Sequence, residues 1–258
     1  MARRKSALIT VFLLCVLLGV ASGTLRGEIP ALEEETFRVY GERVFRDLYF
    51  SSVDGLPREL RFFGNFRSPE YTYTGPRTLF FYRLPEGFSE TAYLEYIDRS
   101  ESPVLYPPGA EIVASVNWPE TMENPLFIFF RREGRSTEGP EFVIFPFDDS
   151  TNAFPWQSLV IFNASRMSLG GRVGSATHQF SAGPSEPFRV NRSVNVRMAT
   201  RRSDGVRTVF DGPVEVGSDE RVLMLLLPPV LRGSTEVQYR IVRQLRQEEP
   251  EELKALDE

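Results

Sequence analysis

The stretch Phe142–Phe162, FVIFPFDDSTNAFPWQSLVIF, sets two apolar runs on either side of a polar, acidic knot, Asp148-Asp149-Ser150-Thr151-Asn152. Short apolar runs bounded by Asp, Asn, Ser and Pro read as β-strands closed off by turns. The knot admits two readings. Its carboxylates could offer oxygen ligands to calcium, but an EF-hand loop needs alternating acidic ligands, a glycine and a distal glutamate, and this segment lacks that pattern. Asp, Ser and Asn side chains also cap backbone N–H groups in tight turns, and Pro155 fixes the exit into the next run. The second reading fits the residue order better: residues 148–155 are a linker between two folded units.

The same punctuation extends in both directions. Candidate strands are LYFSS from Leu48, ELRFF from Glu59, TLFFYR from Thr78, AYLEYI from Ala92, EIVASV from Glu111 and LFIFFR from Leu126. After the knot come SLVIF from Ser158, VNVRMA from Val194, RTVF from Arg207, VLMLLL from Val222 and EVQYRIV from Glu236. No long 3.6-residue apolar period precedes residue 243, so helix content is expected to be low. The pattern predicts an all-β chain of two tandem immunoglobulin-like antiparallel sandwich modules, residues 36–147 and 156–243, each with about seven short strands. One large barrel or jelly roll is the alternative that this length also permits.

The order of segments looks duplicated. DLYFSSVDGLPRELRF from Asp47 compares with SLVIFNASRMSLGGRV from Ser158, and YTYTGPRTLFFYR with FRVNRSVNVRMAT. ENPLFIFFRR compares with DERVLMLLLPP and EFVIFPF with EVQYRIV, while the first half carries extra residues around RLPEGFSETAYLEYIDRSESPVLYPPG. Within this pattern Leu126–Phe130 and Val222–Leu227 break a rule. A strand with one wet face alternates apolar and polar residues, yet these two are apolar throughout. Either a loop covers the second face, or that face buries against the other module or a second subunit, since a bare face would be sticky.

The N-terminus reads as an export signal over residues 1–23. MARRKS supplies a basic start, ALITVFLLCVLLGV an apolar stretch, and Ala21 and Gly23 the small residues before a cut. Cleavage after Gly23 is expected, with Ala21 as the other option. An uncleaved anchor is the alternative, because Ala7–Gly23 is about 17 residues, at the lower limit for spanning a bilayer. A lipoprotein signal at Cys15 is disfavoured by Leu14, which stands where a small residue is wanted. Residues 24–35 read as a flexible leader and 244–258 as an acidic tail. The expected location is periplasmic or secreted, with no stable membrane span after cleavage.

Cys15 is the only cysteine, so the mature chain has no disulfide, thiolate nucleophile or cysteine-based zinc site. The chain carries a net charge of −5 and would carry −8 without Arg3, Arg4 and Lys5. Its cations are almost all arginine and scattered, which argues against a nucleic-acid partner. No Gly-x-Ser-x-Gly elbow, phosphate loop or HExxH is present. A Ser-His-Asp triad would have to recruit His178, the sole histidine, in a segment that reads as a loop or edge strand. No cofactor is expected. The sequons at Asn163 and Asn191 matter only in a eukaryotic secretory route.

The stretches YTYTGPRTLFFYR and FPFDDSTNAFPWQSLVIFNAS, followed by a short sandwich-like second half, resemble a family of uncharacterised secreted bacterial proteins with two small β-sandwich domains. That resemblance covers most of the mature chain and implies no activity. In size alone the chain is also similar to periplasmic pilus-assembly chaperones, a fold-level analogy. The expected function is therefore non-catalytic: protein–protein association or self-association through exposed strand edges or the doubly apolar faces, or a structural role in the envelope. The alternative is an extracellular carbohydrate-binding module that stacks sugar rings on Trp118, Trp156, Tyr93 and Tyr96.

Overall fold

The computed structural model describes residues 34–246 apart from 133–138, 203–204, 230–233 and 235. The export signal, most of the leader and the tail beyond Arg246 lie outside the described residues. The first half holds β1 (Glu34–Gly41), β2 (Tyr49–Phe50), β3 (Arg58–Glu59), β4 (Tyr71–Thr74), β5 (Thr78–Arg83), helix α1 (Glu90–Arg99), β6 (Glu111–Asn117), β7 (Pro125–Arg131) and β8 (Phe142–Asp148). The second holds β9 (Ser158–Asn163), β10 (Leu169–Val173), β11 (Ala176–Phe180), β12 (Gly183–Pro184), β13 (Phe188–Arg189), β14 (Arg192–Arg202), β15 (Gly205–Val216), β16 (Glu220–Leu227) and β17 (Gln238–Leu245). The chain is all-β, with α1 the one helix among the described residues.

Four sheets form, ordered β4-β1-β7-β8, β3-β2-β5-β6, β12-β9-β16-β17 and β11-β10-β14-β15. None of them pairs a strand before the acidic knot with one after it. Neighbours are antiparallel except in two places: β1 runs parallel to β7, and β9 parallel to β16. The two halves therefore share one topology, in which the first strand pairs with the penultimate one and the last closes a hairpin on it. Pro146 in β8 and Pro213 in β15 both sit in edge strands, where a missing N–H costs the ladder nothing.

The correspondence reaches single hydrogen bonds. Ser68 receives the Val39 N–H at 2.8 Å on its Oγ, and its own N–H returns to the Val39 carbonyl at 2.9 Å. Ser185 does the same to Ile161, at 3.0 and 2.9 Å. Past the end of each first strand, the Glu42 N–H reaches the Phe129 carbonyl and the Ala164 N–H the Leu226 carbonyl. These pairs align β1 with β9 and β7 with β16. The expected match of the segment at Asp47 with Ser158–Asn163 is thereby corrected. The true counterpart is β1, which is not among the candidate strands and whose first two residues, Glu34 and Glu35, fall in the expected leader.

Three apolar layers separate the four sheets. The first core joins β1 and β7 to β2, β5 and β6 through rings such as Phe37, Phe50, Phe81 and Phe127. Another joins β9 and β16 to β10, β14 and β15. Between them Leu126, Ile128 and Phe130 of β7 meet the layer that contains Leu223, Leu225 and Leu227 of β16, with Phe162 and Val242. This middle layer explains the two continuous apolar strands: odd and even side chains each face a core. Of the two explanations open in the sequence, burial against the other half of the chain is the one observed. Those faces are consequently not available to an outside partner.

AYLEYI is the clearest strand that is not one. Ser89 accepts the Ala92 N–H as an N-cap, Glu90 and Arg99 suit the ends of the helix dipole, and only Tyr93 is buried. Its aromatic alternation imitates a strand, but one buried residue in ten needs no sheet. The helix lies between β5 and β6, inside the segment expected to be extra in the first half. In the second half β14 and β15 pair directly as a hairpin there.

Candidate functional site

The acidic knot opens an exposed turn at residues 151–153, but one of its carboxylates is buried. Asp148 caps the Ser150 N–H at 2.9 Å, while Asp149 points inward and is 3% exposed. Its Oδ1 accepts from Arg67 Nη2 at 2.9 Å and its Oδ2 lies 3.3 Å from Arg221 Nη2. Arg221 further donates to the Phe154 carbonyl at 2.8 Å and to Gln244 Oε1 at 2.9 Å. Phe154 lies under both guanidinia, and Trp156 under Arg221 and Arg246. Burial pushes both guanidinia down, Arg221 to about 10, with Asp149 opposing the shift. Arginine does not give up its proton in proteins, so both remain cationic at neutral pH. One carboxylate thus holds a cation from each half of the chain. Within residues 148–155, read as a linker, Asp149 is a buried ionic clamp beside the middle layer, while residues 151–153 form an exposed turn.

The four aromatics of the carbohydrate reading do not come together. Trp118 is 2% exposed, packed in the first core on Tyr73 and Phe127. Tyr93 is the buried residue of α1, against Phe88. Trp156 is half-buried beneath two arginines, and Tyr96 is exposed on α1. Among the described residues no ring contact joins any two of them. His178 packs on Phe188 and Phe180 rather than facing solvent freely. Asn163 is buried, donating to the Met167 and Phe180 carbonyls, so it is a structural residue and not a glycan acceptor. Among the described residues no group of three His, Cys, Asp or Glu stands ready for a metal.

What the fold does build is a cleft at the far end of the middle layer from Asp149. It has a volume of about 560 Å³, within the range of roughly 300–1,000 Å³ usual for ligand clefts. Phe130, Val143, Phe145 and Leu227 contribute its apolar surface. Arg43, Arg131 and Arg132 enter from the first half, Arg166 and Arg240 from the second. Among the described residues Glu42 is the one carboxylate lining it, and its Oε1 accepts the Arg131 main-chain N–H at 3.0 Å.

The strands set these side chains by simple means. Residues 238, 240 and 242 of β17 alternate toward the middle layer, so Arg240 extends the row that Val242 begins. Arg166 follows a turn in which Asn163 Oδ1 accepts from Ser165 N–H and Oγ, at 3.1 and 2.6 Å. Its backbone sits at φ 62, an uncommon conformation for a side chain of this size. Arg131 pairs with Glu141 at 3.1 Å, as does Arg83 at 2.7 Å; the Arg83 hydrogen bond holds the Glu141 carboxyl below the ordinary range. Among the described residues Arg43, Arg132, Arg166 and Arg240 have no carboxylate partner. A second hollow of about 430 Å³ is lined by Arg43, Arg46, Arg83 and Arg131 together with Glu141, which pairs with the last two.

Sequence reasoning did not find this cleft. Its arginines lie far apart in the chain and look like any others. The usable signal was Arg just past the end of an apolar run, as in FIFFRR, and Arg within one, as Arg240 in YRIV. No protein-family model matches this chain, and no curated protein matches it either.

Proposed function

We propose that this is an exported, non-catalytic protein, periplasmic or secreted, that works by association, and that the arginine cleft receives an acidic segment of its protein partner. The observation that carries this reading is a cleft with an apolar floor lined by Arg43, Arg132, Arg166 and Arg240, none of which has a carboxylate partner among the described residues, in a chain whose net charge is −5. Like charges gathered in a recess repel one another and raise the local potential. Such an arrangement is favourable when an anion completes it. Guanidinium meets carboxylate through two parallel hydrogen bonds, which gives geometric selectivity beyond charge. The apolar floor adds contact area of the kind found at the centre of protein interfaces. Because the doubly apolar strands are spent inside the chain, association falls to this cleft and to exposed strand edges.

The test is fluorescence anisotropy with a labelled glutamate-rich peptide and its glutamine counterpart, on the full chain and on a triple variant, Arg43→Gln/Arg166→Gln/Arg240→Gln. The acidic peptide is expected to bind the parent chain, to weaken as salt rises, and to lose at least tenfold in the variant. Equal binding of both peptides, or no difference between parent and variant, would contradict the reading.

A further inference from the structure

The two ends of the middle layer present the same problem with different answers. At the end nearest the acidic knot, Arg67 of the first half and Arg221 of the second face each other across Asp149, whose two oxygens are divided between them. Six residues later along β16, at Leu227, the layer opens into the cleft, about 20 Å away at roughly 3.3 Å per residue. There the two halves again supply arginines, Arg43 and Arg132 on one wall, Arg166 and Arg240 on the other. Among the described residues the one carboxylate lining the cleft, Glu42, accepts the Arg131 main-chain N–H and pairs with none of these four arginines.

We infer that the cleft takes an extended acidic segment with two adjacent carboxylates, one for each wall, so that the bound segment fastens the open end of the middle layer as Asp149 fastens the closed end. This rests on the reading of the cleft as a site for an acidic partner. The spacing follows from strand geometry. Successive side chains of an extended chain point to opposite sides, whereas residues two apart point to the same side. A segment lying between two arginine-bearing walls satisfies both with residues i and i+1. A segment with acids at i and i+2 loads one wall and leaves the other uncompensated. The apolar floor formed by Phe130, Phe145 and Leu227 suits small or apolar flanking residues.

The occupant is a peptide, not a membrane. The cleft is recessed between two sheets and arginines stand on both sides of it, whereas a bilayer surface would present its anions to one outward face. At about 560 Å³ it holds a few residues of extended chain.

Three labelled hexapeptides of serine and glycine separate the possibilities: one with adjacent glutamates, one with glutamates two apart, and one with a single glutamate. Anisotropy is measured on the full chain, on Arg43→Gln, on Arg240→Gln and on the double variant, each first shown by circular dichroism to be folded. All four substituted or facing side chains are exposed at the cleft rim, so folding should survive. The adjacent pair is expected to bind at least tenfold tighter than either other peptide and to raise the melting temperature of the parent chain. Arg43→Gln and Arg240→Gln should each remove that advantage, and the double variant should lose less than the product of the single losses. Equal binding of the adjacent and separated pairs, or losses that multiply, would overturn the two-walled clamp while leaving the cleft an acidic site. Failure of all three peptides to bind would overturn the site itself. Binding of anionic phospholipid vesicles through the same arginines, in the absence of peptide binding, would replace the peptide by a membrane surface.

Discussion

Asp149 neutralises one of two cations that its own removal would strand. Arg67 and Arg221 have side chains 5% and 3% exposed, and the second donates to main-chain carbonyls that fix it in place. Taking away one partner of a buried pair leaves an uncompensated charge and costs about 3–5 kcal/mol. Asp149→Ala is therefore expected to lose stability on that scale in urea denaturation, whereas Asp148→Ala, which removes one N–H cap, should lose about 1 kcal/mol. Equal effects at the two positions would contradict the clamp. In sequence these neighbours are indistinguishable, since both are aspartates in a turn-rich segment. What separates them is direction: Asp148 ends β8 and turns to its own backbone, while Asp149 faces two arginines far away in the chain. Pairings of that reach leave no local trace, which is why the knot could be recognised as a junction but not as a buried one.

At the scale of elements, each half uses a serine to finish its first strand. The Ser68 bond to Val39 is buried and the Ser185 bond to Ile161 is partly so. An unpaired buried N–H costs about 1–3 kcal/mol. Ser68→Ala is expected to fall in that range and Ser185→Ala below it. Because the two serines serve different cores, the double variant should lose the sum, a result that denaturation of all three proteins can check. The strands that proved legible, β5 to β9 and β14 to β17, are those whose own residues supply the apolar pattern. β1 was missed because EEETFRVYG is half polar, and its identity comes from pairing in parallel with β7. AYLEYI was misread for the opposite reason: its composition suits a strand, yet a serine cap and an i,i+4 pair of Glu95 with Arg99 settle a helix. The arginine cleft was hidden because it gathers the ends of β1, β7, β9, β16 and β17, and no window of sequence contains more than two of them.

For the whole molecule, the middle layer decides whether the two halves can exist apart. Leu126, Ile128, Leu223 and Leu225 are each wholly buried, and they belong to strands whose other face is also covered. Separation would expose a full sheet face on each half, a patch larger than soluble monomers ordinarily carry. The two halves should therefore unfold together. Trp118 reports on the first core, and Trp156, near Arg221, on the junction. Their fluorescence and the far-ultraviolet circular dichroism should trace one coincident transition. Leu225→Ala, a cavity in the middle layer, should shift that whole transition by about 2–5 kcal/mol without splitting it. Residues 34–149 and 150–246 produced separately should associate or precipitate, because each keeps its apolar face. If both fragments were soluble monomers with cooperative transitions of their own, the middle layer would be a docking contact and not a core. The ionic clamp at Asp149 would then be the principal element holding the halves together, and Asp149→Ala would separate them instead of destabilising them as one.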